Sequence, residues 1–154
     1  MIVGGMQPYL FPYLGYFQLI NAVDVFVISD DVQYINRGWI NRNQILVQHK
    51  PMMFTFPVKK DSYSKYINDR YYNSEYFGPV KEKFLASLYY TYKNTTHFKD
   101  VFELVQNILD YPDLNVSEFN RNSIRALCDY LGIDTGFVVS SHLEKYTDLK
   151  AQDA

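Results

Sequence analysis

Two apolar runs near the N-terminus constrain the fold of this chain more than any other feature. Met1–Gly5 (MIVGG) and Val23–Ser29 (VDVFVIS) both read as strands, the second β-branched and apolar enough to be buried. Between them, Pro8 and Pro12 keep the first residues out of a helix interior. From Tyr13 the pattern turns helical: Leu14, Phe17 and Ile20 share a face, Gly15 admits a close neighbour, and Asn21 suits a helix end. Strand, turn, helix and strand in that order form a βαβ unit, so the two strands are expected to run parallel.

That geometry says where polar residues would gather. Gln7 falls just past the carboxyl end of the first strand, and Asp30, Asp31 and Gln33 follow the second. Both groups would open onto the sheet edge where open α/β folds bind ligands. Gln7 offers an amide to a ligand or caps a turn. Asp30 and Asp31 have the chemistry to bind Mg²⁺, orient ribose hydroxyls or accept a proton from an amine; the plainer alternative is an Asx-turn beside a solvated charge. In the next segment, NRGWINRNQI, Arg37 and Arg42 suit a phosphate, Trp39 suits a base or sugar face, and Asn41 adds an amide. The plainer alternative makes Trp39 a core anchor with surface arginines. Tyr16 would help shape the same site. Ser140 and Ser141 follow a later strand and would either face this edge or cap the next element.

Gln44–Gln48 and Met52–Val58 read as a hairpin turning at His49-Lys50-Pro51. Lys59–Glu75 is polar and Tyr-rich, with a short extended piece near Tyr66–Tyr71. The second half is helical. Val80, Phe84, Leu88 and Tyr92 make one stripe, with Leu85 beside it; Phe98, Val101, Phe102, Val105, Ile108 and Leu109 make a second. Pro112 ends that segment. Asn115 and Glu118 have capping-box spacing, Ile124, Leu127, Cys128 and Leu131 form the face that follows, and Gly132 suits a C-cap. Gly136–Ser140 reads as another buried strand. Ser141–Ala154 is polar, and Lys150-Ala151-Gln152-Asp153 resembles a helix start. The expected class is α/β: a three-layer fold around a short, mostly parallel sheet, with a hairpin insertion, in one domain.

With 154 residues, 47% apolar, the chain has the makings of a soluble globular core. A net charge of −2 argues against a general nucleic-acid binder, which needs a basic face, but leaves room for a small anionic ligand. One cysteine, Cys128, excludes an internal disulfide and reads as core packing. His49, His97 and His142 have no ligand spacing, so no metal site is expected from them. Met1 leads straight into IVGG without a basic leader, and no run approaches the ~20 apolar residues of a membrane span, so the cytosol is the expected compartment. Oligomer formation stays open. The 15 Tyr and 11 Phe are explained either by packing or by a stacking surface.

QPYLFPYLGYFQLI, DVFVISDDVQY and RGWINRNQI, with the later ALCDYLGIDTGFVVSS, resemble the WbqC-like protein family over essentially the whole chain. Members of that family are typically longer, so the resemblance implies a C-terminal portion beyond this sequence. It also implies a role in the biosynthesis of O-antigen or other bacterial surface polysaccharides, with transfer of glycine or another acyl group to a nucleotide-activated amino sugar. A non-catalytic binding or assembly module in the same pathway is the alternative. At the level of fold, the opening also resembles HIGH-motif nucleotidyltransferases and pantothenate synthetase, a Rossmann-like arrangement. FPYLGYF takes the motif's place, Pro12, Gly15 and Tyr16 stand roughly where motif residues fall, and neither motif histidine is present. That likeness implies acyl activation with ATP and Mg²⁺.

Overall fold

The computed structural model describes residues 1–62 and 64–144; the helix start expected at Lys150–Asp153 lies outside them. In chain order the elements are β1 (Val3–Met6), α1 (Leu14–Asn21), β2 (Val25–Ile28), β3 (Arg42–Val47), β4 (Lys50–Thr55), α2 (Ser74–Tyr92), α3 (Phe98–Leu109), α4 (Val116–Leu131) and β5 (Gly136–Val139). β1, β2 and β5 form a parallel sheet in that spatial order, with Gly4 opposite Phe26 and Phe26 opposite Phe137. The βαβ unit and the second αβ step expected from the sequence are both present.

The expected three layers are not. Strand order runs in one direction, β1 to β2 to β5, so two right-handed crossovers place their helices on the same side. Tyr16, Phe17 and Ile20 of α1 and Ile124 and Cys128 of α4 meet Phe26 and Ile28 in one cluster. On the opposite face, Val3 is exposed and Val25, Val27 and Val138 are half-buried. Among the described residues the sheet therefore has two layers. Helices on both faces require strand order to reverse, and no reversal occurs here.

Helix α1 also sits at a different rotation from the one expected. Its buried face is Tyr16, Phe17 and Ile20, and Leu14 is exposed. Leu14 lies two residues from Tyr16, which places it on the far side of the helix. The Tyr16 hydroxyl donates to the Gln7 carbonyl at 3.0 Å, and burial pushes its pKa above the ordinary tyrosine range. Burial likewise raises the Cys128 thiol, to about 11, with a contribution from Asp129.

The hairpin turns earlier than expected, at Gln48–His49, both with positive φ (50° and 62°). These are the left-handed settings of a two-residue turn. Lys50 and Pro51 belong to β4, and Pro51 stands opposite Leu46. That pair follows the closing pair, so the missing proline N–H points away from the ladder. The outward N–H and C=O of Leu46 both meet the Tyr92 hydroxyl, at 3.1 and 2.7 Å.

Local signals set the ends of the later helices. The Asn115 side chain accepts from Ser117 N and Glu118 N at the start of α4, and Gly132 closes it at φ 71°, where a β-carbon is disfavoured. Glu118 pairs with Arg121 rather than reaching back to Asn115, so only half of the capping box forms. Phe54, Phe56, Phe77, Phe84, Tyr72 and Phe119 build a second core, with ring centroids as close as 4.5 Å for Phe54 and Phe84. Such pairs add about 0.5–1.5 kcal/mol each beyond burial, so packing accounts for this part of the aromatic content. Asn120, fully buried, links segments distant in sequence: it accepts from the Tyr72 hydroxyl at 2.7 Å and donates to Pro8 O and Ile40 O, both at 2.9 Å.

Candidate functional site

At the carboxyl ends of β2 and β5 lies a closed polar cluster. The Asp30 carboxylate accepts from Ser141 N (3.0 Å), Ser141 Oγ (2.8 Å) and Ser140 Oγ (3.1 Å), and Asp30 N donates to Ser140 Oγ at 3.2 Å. Ser140 Oγ also meets an Asp31 carboxylate oxygen, and its single proton serves one acceptor at a time. Asp30 is buried and Asp31 half-buried. Both Asp30 oxygens are taken up in holding the short helical turn Ser140–His142 against β2, much as a cap residue holds a helix start. No group of three His, Cys, Asp or Glu placed to hold a metal occurs among the described residues. With serine donors engaging it in this way, the carboxylate pair does not fit the Mg²⁺ of an ATP-dependent step.

A second polar region is open. A cavity of about 680 Å³ lies between the 34–42 segment, the end of β4 and the 57–70 segment. Among the described residues its wall carries Arg37, Arg42, Lys59, Lys60 and Arg70 against one carboxylate, Asp61. Asp61 is paired with Lys65 at 2.7 Å, and this hydrogen bond holds its carboxyl below the usual carboxylate range. On a chain of net charge −2, the cations are concentrated here.

The floor of this pocket is built by buried groups. Arg70 lies over the Tyr34 ring, 4.7 Å from its centroid, and donates to Lys59 O and Ser62 O, both at 3.0 Å. Those bonds fix the loop that bears Lys59 and Lys60. Arg70 Nε, buried, has no hydrogen-bond partner. Burial pushes the Tyr34 phenol up, opposed by Arg70 and Arg42, so it stays a donor, to Asn41 Oδ1 at 3.0 Å. Asn41 Nδ2 in turn donates to Phe56 O at 2.7 Å. Arg42 Nε donates to Gly38 O at 2.8 Å and its Nη2 to Arg37 O, so Arg42 holds a turn in which Arg37 has φ 63°.

Arg42 also stands over the Trp39 ring at 5.6 Å. Trp39 is half-exposed and, with Met6, Tyr9, Tyr13 and Asn43, lines a cleft of about 320 Å³. The Arg42–Trp39 pair thus joins a wall residue of the basic pocket to a wall residue of this aromatic cleft.

A family model described as the WbqC-like protein family matches residues 7–153. The chain belongs to the WbqC-like protein family. It is 33% identical over 132 residues to a Mycobacterium tuberculosis (strain ATCC 25618 / H37Rv) protein named Uncharacterized protein Rv1507c. That match takes in 84% of this chain and 56% of the relative, so the chain spans little more than half of the length of the curated relative it matches. No solved structure matches it.

In this WbqC-like chain the residues singled out from the sequence divide into three groups, with Gln33 apart from all of them. Arg37, Asn41 and Arg42 come together in the basic pocket, and Trp39 joins them through Arg42. Asp30 and Asp31 sit with Ser140 and Ser141 instead. Gln7 and Tyr16 meet each other at the foot of the β1–α1 loop, and Gln33 bridges to Tyr66. Trp39 is not the core anchor of the plainer alternative, since 48% of it is exposed. Lys59, Lys60 and Arg70 are not among the residues singled out from the sequence. The Lys-Lys pair just past a strand was the available signal; nothing local marks Arg70 as buried. No described helix is long and apolar enough to cross a membrane.

Proposed function

We propose that this protein binds a nucleotide-activated amino sugar and serves bacterial surface-polysaccharide biosynthesis, where the sugar amine receives glycine or another acyl group. One observation carries the binding part: the basic pocket, in which Arg37, Arg42, Lys59 and Lys60 surround a volume of about 680 Å³. Cations gathered with one already-paired carboxylate suit a diphosphate. Arg42 uses two of its N–H groups on the 37–38 turn, which orients the guanidinium and leaves its other donors for an anion. The pathway and the acyl transfer rest on the resemblance to the family. In that reaction the sugar nitrogen forms a C–N bond to the acyl carbon, the donor's leaving group departs, and the amine loses a proton. Asp30 and its serine partners stand outside this proposal, as structural groups.

Calorimetry with UDP- and dTDP-sugars tests the pocket. Arg42→Ala is expected to weaken binding about tenfold or more, equivalent to roughly 1.4 kcal/mol, and the affinity of the unmodified protein should fall as salt is raised. Unchanged affinity in Arg42→Ala would reject the assignment. The sheet face of Val3, Val25, Val27 and Val138, which no helix covers among the described residues, favours a second reading, an assembly module of the same pathway. That reading takes the lead if ATP, UDP-sugars and dTDP-sugars, with and without Mg²⁺, all leave the melting temperature unmoved.

A further inference from the structure

The aromatic cleft beside the basic pocket has no role in phosphate binding by the arginines and lysines. Two of its rings are open to solvent: Trp39 is 48% exposed and Tyr13 58%. Tyr9 and Met6 complete the wall, so four apolar side chains converge on a space of about 320 Å³, room for one ring system. Isolated exposed aromatics need no explanation, but converging ones mark a binding surface.

The cleft is held in shape from beneath. Leu10 N donates to Ile40 O at 2.9 Å, and Asn120 joins Pro8 O to Ile40 O, so the loop bearing Tyr9 and Tyr13 is tied to the segment bearing Trp39. Asn43 Nδ2 adds a bond to Phe11 O at 2.6 Å. The Tyr13 ring folds back over Gly15, where an added β-carbon would lie 2.6 Å from a ring atom. Aromatic walls fixed in this way lose little conformational entropy on binding.

What the cleft would take follows from its neighbour. Arg42 lines the basic pocket and stands over the Trp39 ring, so a ligand with phosphates at Arg42 has its attached ring directed to Trp39. A second apolar cavity, of about 280 Å³ between β3 and helices α2 and α3, has no Lys, Arg, Asp or Glu in its wall and lies apart from Arg42. We infer that the Trp39–Tyr13–Tyr9 cleft is a ring subsite, stacking the base or sugar of a ligand whose phosphates occupy the basic pocket. This inference rests on the phosphate reading and adds the second half of the ligand to it.

Trp39 is the chain's single tryptophan, so its emission reports the cleft without labelling. Inorganic pyrophosphate, UDP and a hexose 1-phosphate would be titrated separately against the full chain, following both heat and Trp39 emission. Pyrophosphate should bind and leave the emission little changed. A ring-bearing ligand should bind at least tenfold more tightly than its bare phosphate and shift or quench the emission. UDP doing so identifies the ring as a base, and the hexose 1-phosphate doing so identifies it as a sugar. Trp39→Ala and Gly15→Ala should each remove the advantage over pyrophosphate, the second by displacing Tyr13 without touching a phosphate contact. Equal binding of all three ligands, or a full advantage retained in Trp39→Ala, overturns the ring subsite while the phosphate pocket stands. No binding of any of them overturns both.

Discussion

The two polar regions of this molecule are opposites in how their charges are matched. Around Asp30, each carboxylate oxygen accepts from a serine donor, and the cluster closes upon itself between β2 and β5. Around Arg42, five cationic side chains share a wall with a single carboxylate that is already paired. A strand-end position is thus no sufficient mark of a ligand site. With strand order running one way, the ends of β2 and β5 are neighbours with no crevice between them, and their polar groups satisfy one another. The pocket with charge left over lies in the irregular segments around the hairpin.

The largest effect is expected between the two regions, at Asn120. Asn120→Ala would strand the Tyr72 hydroxyl and the Pro8 carbonyl in the core and leave the Ile40 carbonyl with Leu10 N alone, at a cost of about 3 kcal/mol, read from the shift in a urea unfolding midpoint. A loss below about 1 kcal/mol would mean that the loops flanking the cleft are held by something else. Asp30→Ala should come next, at about 2 kcal/mol, because it leaves the Ser141 N–H and hydroxyl donors unmatched, while Ser140 keeps Asp31. Affinity for UDP-sugars in the folded variant should equal that of the unmodified protein, and a selective loss of binding would erase the contrast between the two regions.

Alkali probes the sheet side. Cys128 ionises near 9.0 in an unfolded chain and at about 11 when folded, and burial raises Tyr16 as well. A neutral form favoured by folding stabilises the protein below the unfolded value, and that contribution fades as pH climbs from 9.0 toward about 11. Unfolding midpoints should fall across that window, and the slope should be shallower in Cys128→Ala. The smallest change in stability is expected for Lys59→Ala combined with Lys60→Ala. Both side chains are exposed, so the midpoint should move by less than about 0.5 kcal/mol. Calorimetry should nevertheless show the sugar-nucleotide affinity dropping about tenfold. Intact affinity would make the basic pocket as inert as the Asp30 cluster.

What could be read from the residues follows the range of the interactions involved. The cap at Asn115, the left-handed end at Gly132 and the apolar face of α3 depend on neighbours within a turn or two, and all three were legible. Parallel pairing of β1 and β2 followed from the length of the connection. The rotation of α1 did not, because an eight-residue helix rich in Leu, Tyr and Phe offers two apolar faces, and Leu14 and Tyr16 exchange roles between them. Layer number depends on where β5 pairs, more than a hundred positions after β2. Half of the candidate site was legible, as Arg37, Trp39, Asn41 and Arg42 lie in one short segment. Arg70 was not, because its burial depends on the Tyr34 ring and on carbonyls of a loop without periodicity.

Finally, the Tyr92 hydroxyl stands where another strand would otherwise begin. A two-stranded hairpin presents outward N–H and C=O groups that a stray extended chain is able to pair with. One phenolic oxygen engages both such groups of Leu46, at 3.1 and 2.7 Å. A single side chain therefore acts as a stopper on that edge, and it also lines the apolar cavity with Leu88 and Phe98. Removing only the oxygen, in Tyr92→Phe, would leave the packing in place and unplug the edge, and the variant should form fibrils or amorphous aggregates on storage where the unmodified protein does not.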